Sequence, residues 1–203
     1  MRLAASAFAL LAVVVAAAGC GSGSPSHVSV ARSVRLLGSP ARPVVPAPDL
    51  ALHDQDGRVV RLSEQRGRLV LLTFLYTGCT DVCPLIASNL NAALRALPPA
   101  QRARVRVIAV SVDPWGDTPA AVRRFIRERR LVKEFRYLTG TKEELAPVWQ
   151  AWNVLVEAKN AERMAHSAFV WLIDARGRTR VSFASTTPPR PVTHDLRILL
   201  ART

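Results

Sequence analysis

Two cysteines four residues apart, in the stretch Cys79-Thr80-Asp81-Val82-Cys83-Pro84, carry the clearest chemistry in this chain. Thiolates are nucleophiles and soft metal ligands, and soft ligands select copper(I) or zinc over hard cations. On a turn entering a helix, that spacing brings two side chains within about 5–6 Å. Such a separation suits one shared metal ion or a disulfide between Cys79 and Cys83; a plain stapling disulfide is the structural alternative. Residue types alone support a third ligand less strongly. His27, His53 and His194 each read as ordinary polar residues, whereas His166 immediately precedes the strand-like run from Ala168 to Ile173. An imidazole beside two thiolates makes a site able to hold copper in either oxidation state. Met164 is a softer competitor, although a methionine there more often packs.

The elements that must position these residues are legible from periodicity. Leu69 to Tyr76 is apolar on successive positions, as in a strand buried on both faces. After Pro84 the period changes, and Ile86, Leu90, Leu94 and Leu97 form one helical stripe, stopped by Pro98-Pro99. Pro84 fits the first helical position. Cys83 is therefore expected at the helix start, where unpaired N–H groups and the dipole favour a thiolate. A second buried strand runs from Val105 to Val112, and Thr118-Pro119 opens another helix. Phe135 to Leu138 reads as a short strand. Thr141 and Glu144 form a capping box for a helix burying Leu145, Val148, Trp149 and Trp152, in which Pro147 predicts a kink or a late start. Ala168–Ile173 turns at Arg176-Gly177 and pairs back through Val181–Phe183, and Val192–Leu200 closes the chain as a helix. Ahead of all these, Leu50 to Leu62 reads as a hairpin about Asp56-Gly57.

This order describes one α/β domain, residues 47–203, large enough to bury a core without staples. A central mixed sheet flanked by helices, with an N-terminal hairpin and a cysteine pair after the first long strand, reads as a thioredoxin-like fold. Residues 1–19 read as a signal peptide: a positive Met1-Arg2, an apolar run from Leu3 to Ala18, then Ala17-Ala18-Gly19-Cys20. The end of that run is similar to the lipobox of bacterial lipoproteins, which implies lipidation of Cys20, with Ala17 where those boxes usually carry Leu. Residues 20–46, rich in Gly, Ser and Pro, read as a flexible membrane tether. With Cys20 lipidated, Cys79 and Cys83 remain as a pair whose redox state is a variable. The location expected is the cell membrane, with the domain facing the extracytoplasmic side.

The net charge is +13, nearly all arginine. Arg123, Arg124, Arg127, Arg129 and Arg130 crowd one helix, and a solvated face is the default reading, with anionic lipid or an acidic partner as a weaker alternative. No recognition motif accompanies the charge, so nucleic acid is excluded as a partner.

From about Pro48 to Leu200 the chain resembles the Sco/SenC family, thioredoxin-fold copper carriers that help assemble the dinuclear copper centre of cytochrome c oxidase. The resemblance is carried by Asp54-Gln55-Asp56-Gly57, Tyr76 to Pro84, Ser111-Val112-Asp113-Pro114 with Asp117-Thr118-Pro119, Leu138-Thr139-Gly140-Thr141, and His166-Ser167. It implies that Cys79, Cys83 and His166 are the ligands of one copper ion per chain. The implied acceptor is oxidase subunit II, and a thiol reductant must keep the pair open. Ala165 stands where many members place an acidic residue, which removes an orienting group for the histidine. Two rivals use the same cysteines. One is a thiol–disulfide reductase acting on the acceptor, which does not need His166. The other is a thiol peroxidase, echoed by Thr80-x-x-Cys83 but lacking the proline that such a motif wants at Tyr76.

Overall fold

The computed structural model describes residues 35–160, 163–166 and 168–203, with side chains for 35–156 and 168–203. Cys20, the leader and most of the expected tether lie outside the described residues. In chain order the strands and helices are β1 (Ser39–Pro40), β2 (Ala51–Asp54), β3 (Val59–Arg61), β4 (Leu69–Leu75), α1 (Val82–Arg95), α2 (Pro99–Arg102), β5 (Val105–Ser111) and α3 (Pro119–Glu128). They continue with β6 (Phe135–Thr139), α4 (Lys142–Ala151), β7 (Val156–Asn160), β8 (Arg163–His166), β9 (Phe169–Ile173), β10 (Thr179–Ala184) and α5 (Pro189–Leu200).

β4 is fully buried along its length and lies inside the main sheet, of order β1-β10-β9-β4-β5-β6-β2-β3 among the described residues. β5 pairs with it in parallel and β9 antiparallel, so the sheet is mixed, as the sequence implied. Alternation along β4 divides the core. Leu69, Leu71 and Leu75 pack with the inner faces of α1, α3 and α5; Val70, Leu72 and Phe74 pack with Leu145, Val148 and Trp149 of α4, with Trp152 just after it, and with the β2–β3 hairpin. That hairpin turns at Gly57, whose φ of 77° is a backbone state that glycine adopts without penalty.

α1 ends at Arg95, ahead of Pro98-Pro99 as expected, and Pro99 then opens the short α2 at a position that needs no N–H donor. Two local expectations are corrected. α4 starts on its capping box at Lys142 with no delay, and runs through Pro147. Part of the expected tether belongs to the domain: Ser39 and Pro40 pair with Ser182 and Val181 of β10, and Leu37 and Gly38 donate their N–H groups to Asp195. These bonds satisfy an exposed sheet edge and a buried carboxylate, which composition alone does not reveal.

A feature the sequence did not announce is the ribbon β7–β8, a separate two-stranded sheet inserted between α4 and β9.

Candidate metal centre

The chain leaves β4 at Leu75 and turns back through Cys79, whose N–H donates to the Tyr76 carbonyl at 3.3 Å. α1 then begins at Val82. The first N–H groups of a helix have no intrahelical acceptor. Asp81, at the N-cap position, makes no side-chain cap. Instead the Cys83 N–H donates to Cys79 Sγ at 3.3 Å, so the first cysteine's sulfur fills the capping role. Pro84 falls third in the helix, still within the turn where its missing N–H costs nothing. Both cysteines are buried in the core cluster formed by α1, α3 and α5, Cys83 completely, and both are thiols with no disulfide between them.

This corrects the expectation of a thiolate at Cys83. Burial pushes the Cys83 thiol well above its ordinary value, the Cys79 side chain adds to the rise, and a bond with the Tyr76 backbone only partly offsets it. Desolvation outweighs the helix start because Cys83 is inside the protein, and the amide at the helix mouth faces the other sulfur. The Tyr76 phenol is also raised, first by burial and then by the two cysteines beside it.

A buried polar network holds the turn. Asp117, just before α3, accepts from the Thr77 N–H at 2.7 Å, from Ser111 Oγ–H at 2.6 Å and from the Tyr137 hydroxyl at 2.8 Å. Ser111 Oγ also accepts from the Asp113 N–H at 3.0 Å, and the Trp149 indole N–H donates to the Ser111 carbonyl at 2.9 Å. Burial raises the Asp117 carboxyl, while the three donors oppose the rise. The ends of β5 and β6 and the start of the cysteine turn are therefore tied to one carboxylate. Asp117 and Ser111 stood in the motifs but without a role, Trp149 read as packing, and Tyr137 fell unremarked within the Phe135–Leu138 strand. The available signal was a run of small polar and acidic residues directly after a buried strand.

His166 ends β8, opposite Val156, rather than sitting in a loop. Its side chain lies outside the described residues, and among those described no group of three or more His, Cys, Asp or Glu is set to hold a metal. The backbone brings it to the relevant end of the sheet. Thr73 of β4 pairs with Val170 of the antiparallel β9, so the chain enters β9 where the cysteine turn leaves β4. Ala168, two residues after the histidine, packs against the cluster that contains both cysteines. His53 lies in β2 paired with Thr139, and His194 Nδ1 is bonded to Asp195, so neither is brought to the thiols.

A mixed sheet covered on both faces, with a buried dithiol turn between a central strand and the helix that follows, defines a thioredoxin-like protein. The SCO1/SenC family model matches residues 44–201, and the chain belongs to that family. It is similar to Bradyrhizobium japonicum ScoI, solved with copper bound, at 29% identity and a TM-score of 0.68 over 76% of this chain and 99% of that one. Apo Sco1 from Thermus thermophilus matches at 29% identity and a TM-score of 0.72, over 83% and 99%. An SCO2-like protein of Rickettsia felis is 26% identical over 155 residues, 73% of this chain and 74% of the relative.

Proposed function

We propose that this protein is a copper carrier for cytochrome c oxidase assembly that delivers one ion to the dinuclear site of subunit II. The observation that carries this reading is the bond from the Cys83 N–H to Cys79 Sγ, which holds one buried soft donor at the start of the helix that carries the other. Two sulfurs with little water access suit copper(I), and the similarity to a relative solved with copper supports the same cargo here. His166 completes the ligand set. Because burial keeps the proton on Cys83, copper uptake releases protons as the sulfurs become thiolates. A Cys79–Cys83 disulfide cannot bind the ion, so a thiol reductant must first supply two electrons and two protons. Release then proceeds by ligand exchange onto the acceptor's own thiolates. Lipid on Cys20 holds the domain at the extracytoplasmic face of the cell membrane, beside a membrane-bound acceptor.

The reductase reading uses the same pair, but Cys83, fully buried and with its thiol raised, is poorly suited to be its attacking group. The same burial weighs against a peroxidase, which needs an ionised sulfur. Anaerobic copper(I) titration of the reduced protein discriminates between them. One equivalent is expected to bind, with Cys83→Ser abolishing tight binding and His166→Ala weakening it about 10–100-fold. Undiminished affinity in His166→Ala removes the imidazole from the ligand set and favours the reductase.

A further inference from the structure

Positive charge accumulates around α5 and the β9–β10 turn. An open depression of about 540 Å³ is lined by Arg190, His194 and Arg197 with the apolar Ala96, Pro189 and Ile198. A second, of about 210 Å³, is lined by Arg176, Arg178, Arg180 and Arg202 around Asp174. The acids nearby are already engaged. Asp174 Oδ2 holds Arg180 at 3.2 Å and Arg178 at 3.6 Å. Asp195, the acid of α5, is buried and accepts from Leu37, Gly38 and His194. Arg190, Arg197, Arg176 and Arg202 therefore face solvent as a positive surface that neither carboxylate neutralises.

The first described residues are held to the same helix. Asp195 straps Leu37 and Gly38 to α5, and β1 lies along β10. Between Cys20 and Arg35 there are fourteen residues, a path of at most about 50 Å. A domain anchored through that segment keeps this face within reach of the bilayer.

We infer that the α5–β10 face docks on an anionic phospholipid surface, with Arg190 and Arg197 binding headgroup phosphate and the apolar walls of the depression meeting the ester region. The inference rests on the membrane anchorage proposed above. Guanidinium forks match phosphate oxygens, and basic residues near an anionic leaflet are attracted within a Debye length. The orientation serves the carrier. Ala96 caps the far end of α1 from Cys83, about 20 Å away along the helix at 1.5 Å per residue. Docking there leaves the cysteine turn at the other end of α1 clear of the bilayer.

The test floats the full chain with vesicles of phosphatidylcholine alone, or of phosphatidylcholine mixed with phosphatidylglycerol. The anionic vesicles are expected to gain about tenfold in partition, and added salt to erase that gain. Arg190→Gln with Arg197→Gln removes most of the gain and leaves partition onto phosphatidylcholine unchanged. Arg58→Gln with Arg124→Gln, an equal charge change at exposed arginines elsewhere, preserves it. The inference is overturned if phosphatidylglycerol gives no gain, or if the distant pair removes as much as the α5 pair. Partition onto phosphatidylcholine alone reads the N-terminal anchor separately, so failure of the anchorage leaves the headgroup comparison readable.

Discussion

The cysteine turn and the β7–β8 ribbon supply the proposed ligands by opposite means. The turn sits between a fully buried strand and a helix, its sulfur caps that helix, and its entry is fixed to Asp117 by a short bond. The ribbon forms a sheet of its own, and two paired strands alone are marginally stable. One part of the centre is therefore built into the core, while the other is a separate ribbon joined to it by the chain on either side, at Val156 after α4 and before β9. For a carrier this division is useful. On the proposed reading, the dithiol turn would capture the ion, and a ligand on a separate element would permit exchange without unfolding the core.

The contrast breaks most visibly at Asp117. Asp117→Ala leaves the Tyr137 hydroxyl, Ser111 Oγ–H and Thr77 N–H without their acceptor. It is expected to destabilise the protein by about 3–5 kcal/mol, or roughly 10 °C in melting temperature, in differential scanning calorimetry. Copper(I) affinity should fall with it, because the turn loses its support. A loss of affinity with an unchanged melting temperature would mean that the carboxylate acts on the metal directly and not through the fold.

Next in size is the pH dependence of the reduced protein. The Cys83 thiol is raised on folding above its unfolded value of 9.0. Its contribution to stability is therefore fully present below about pH 9 and is lost as pH rises toward the folded value, by at most about 1.4 kcal/mol per pH unit. Urea midpoints of wild type minus Cys83→Ala should be level from pH 6 to about 9 and then decline. A rise that begins near neutrality would mean that Cys83 ionises more readily in the folded protein than in the unfolded chain, and would revive thiol–disulfide exchange.

Trp149→Phe keeps the ring but removes the bond to the Ser111 carbonyl, and is expected to cost about 1–2 kcal/mol. Smallest is Val156→Ala, opposite His166 in the ribbon. Its cost in global stability should be about 1 kcal/mol. Copper affinity should nevertheless respond, since the pairing partner of the histidine has changed. If stability falls steeply instead, the ribbon is part of the core and the contrast with the turn fails.

Much of this architecture was readable because it is coded locally. β4 announces itself by apolar residues on successive positions, and Thr141 with Glu144 forms both halves of the capping box that the spacing implies. The cysteines fall on the strand-to-helix turn where the change of period put them. The ribbon was not readable. Val156–Asn160 and Arg163–His166 are short, polar and interrupted by charge, so they carry no periodic signal, and only their mutual pairing makes them strands. The docking of residues 37–40 was missed for a similar reason: a Gly-, Ser- and Pro-rich segment looks like linker until a sheet edge and a buried carboxylate are brought to it.

By itself the sequence determined the two-faced core strand, the helix that follows it and the presence of a paired-thiol chemistry, because burial pattern and spacing depend on neighbours along the chain. Only the tertiary structure decided the condition of that chemistry. Ionisation and support depend on groups dozens of residues away: the enclosure that keeps the Cys83 proton in place, and the carboxylate of Asp117 that joins Thr77, Ser111 and Tyr137 at one point.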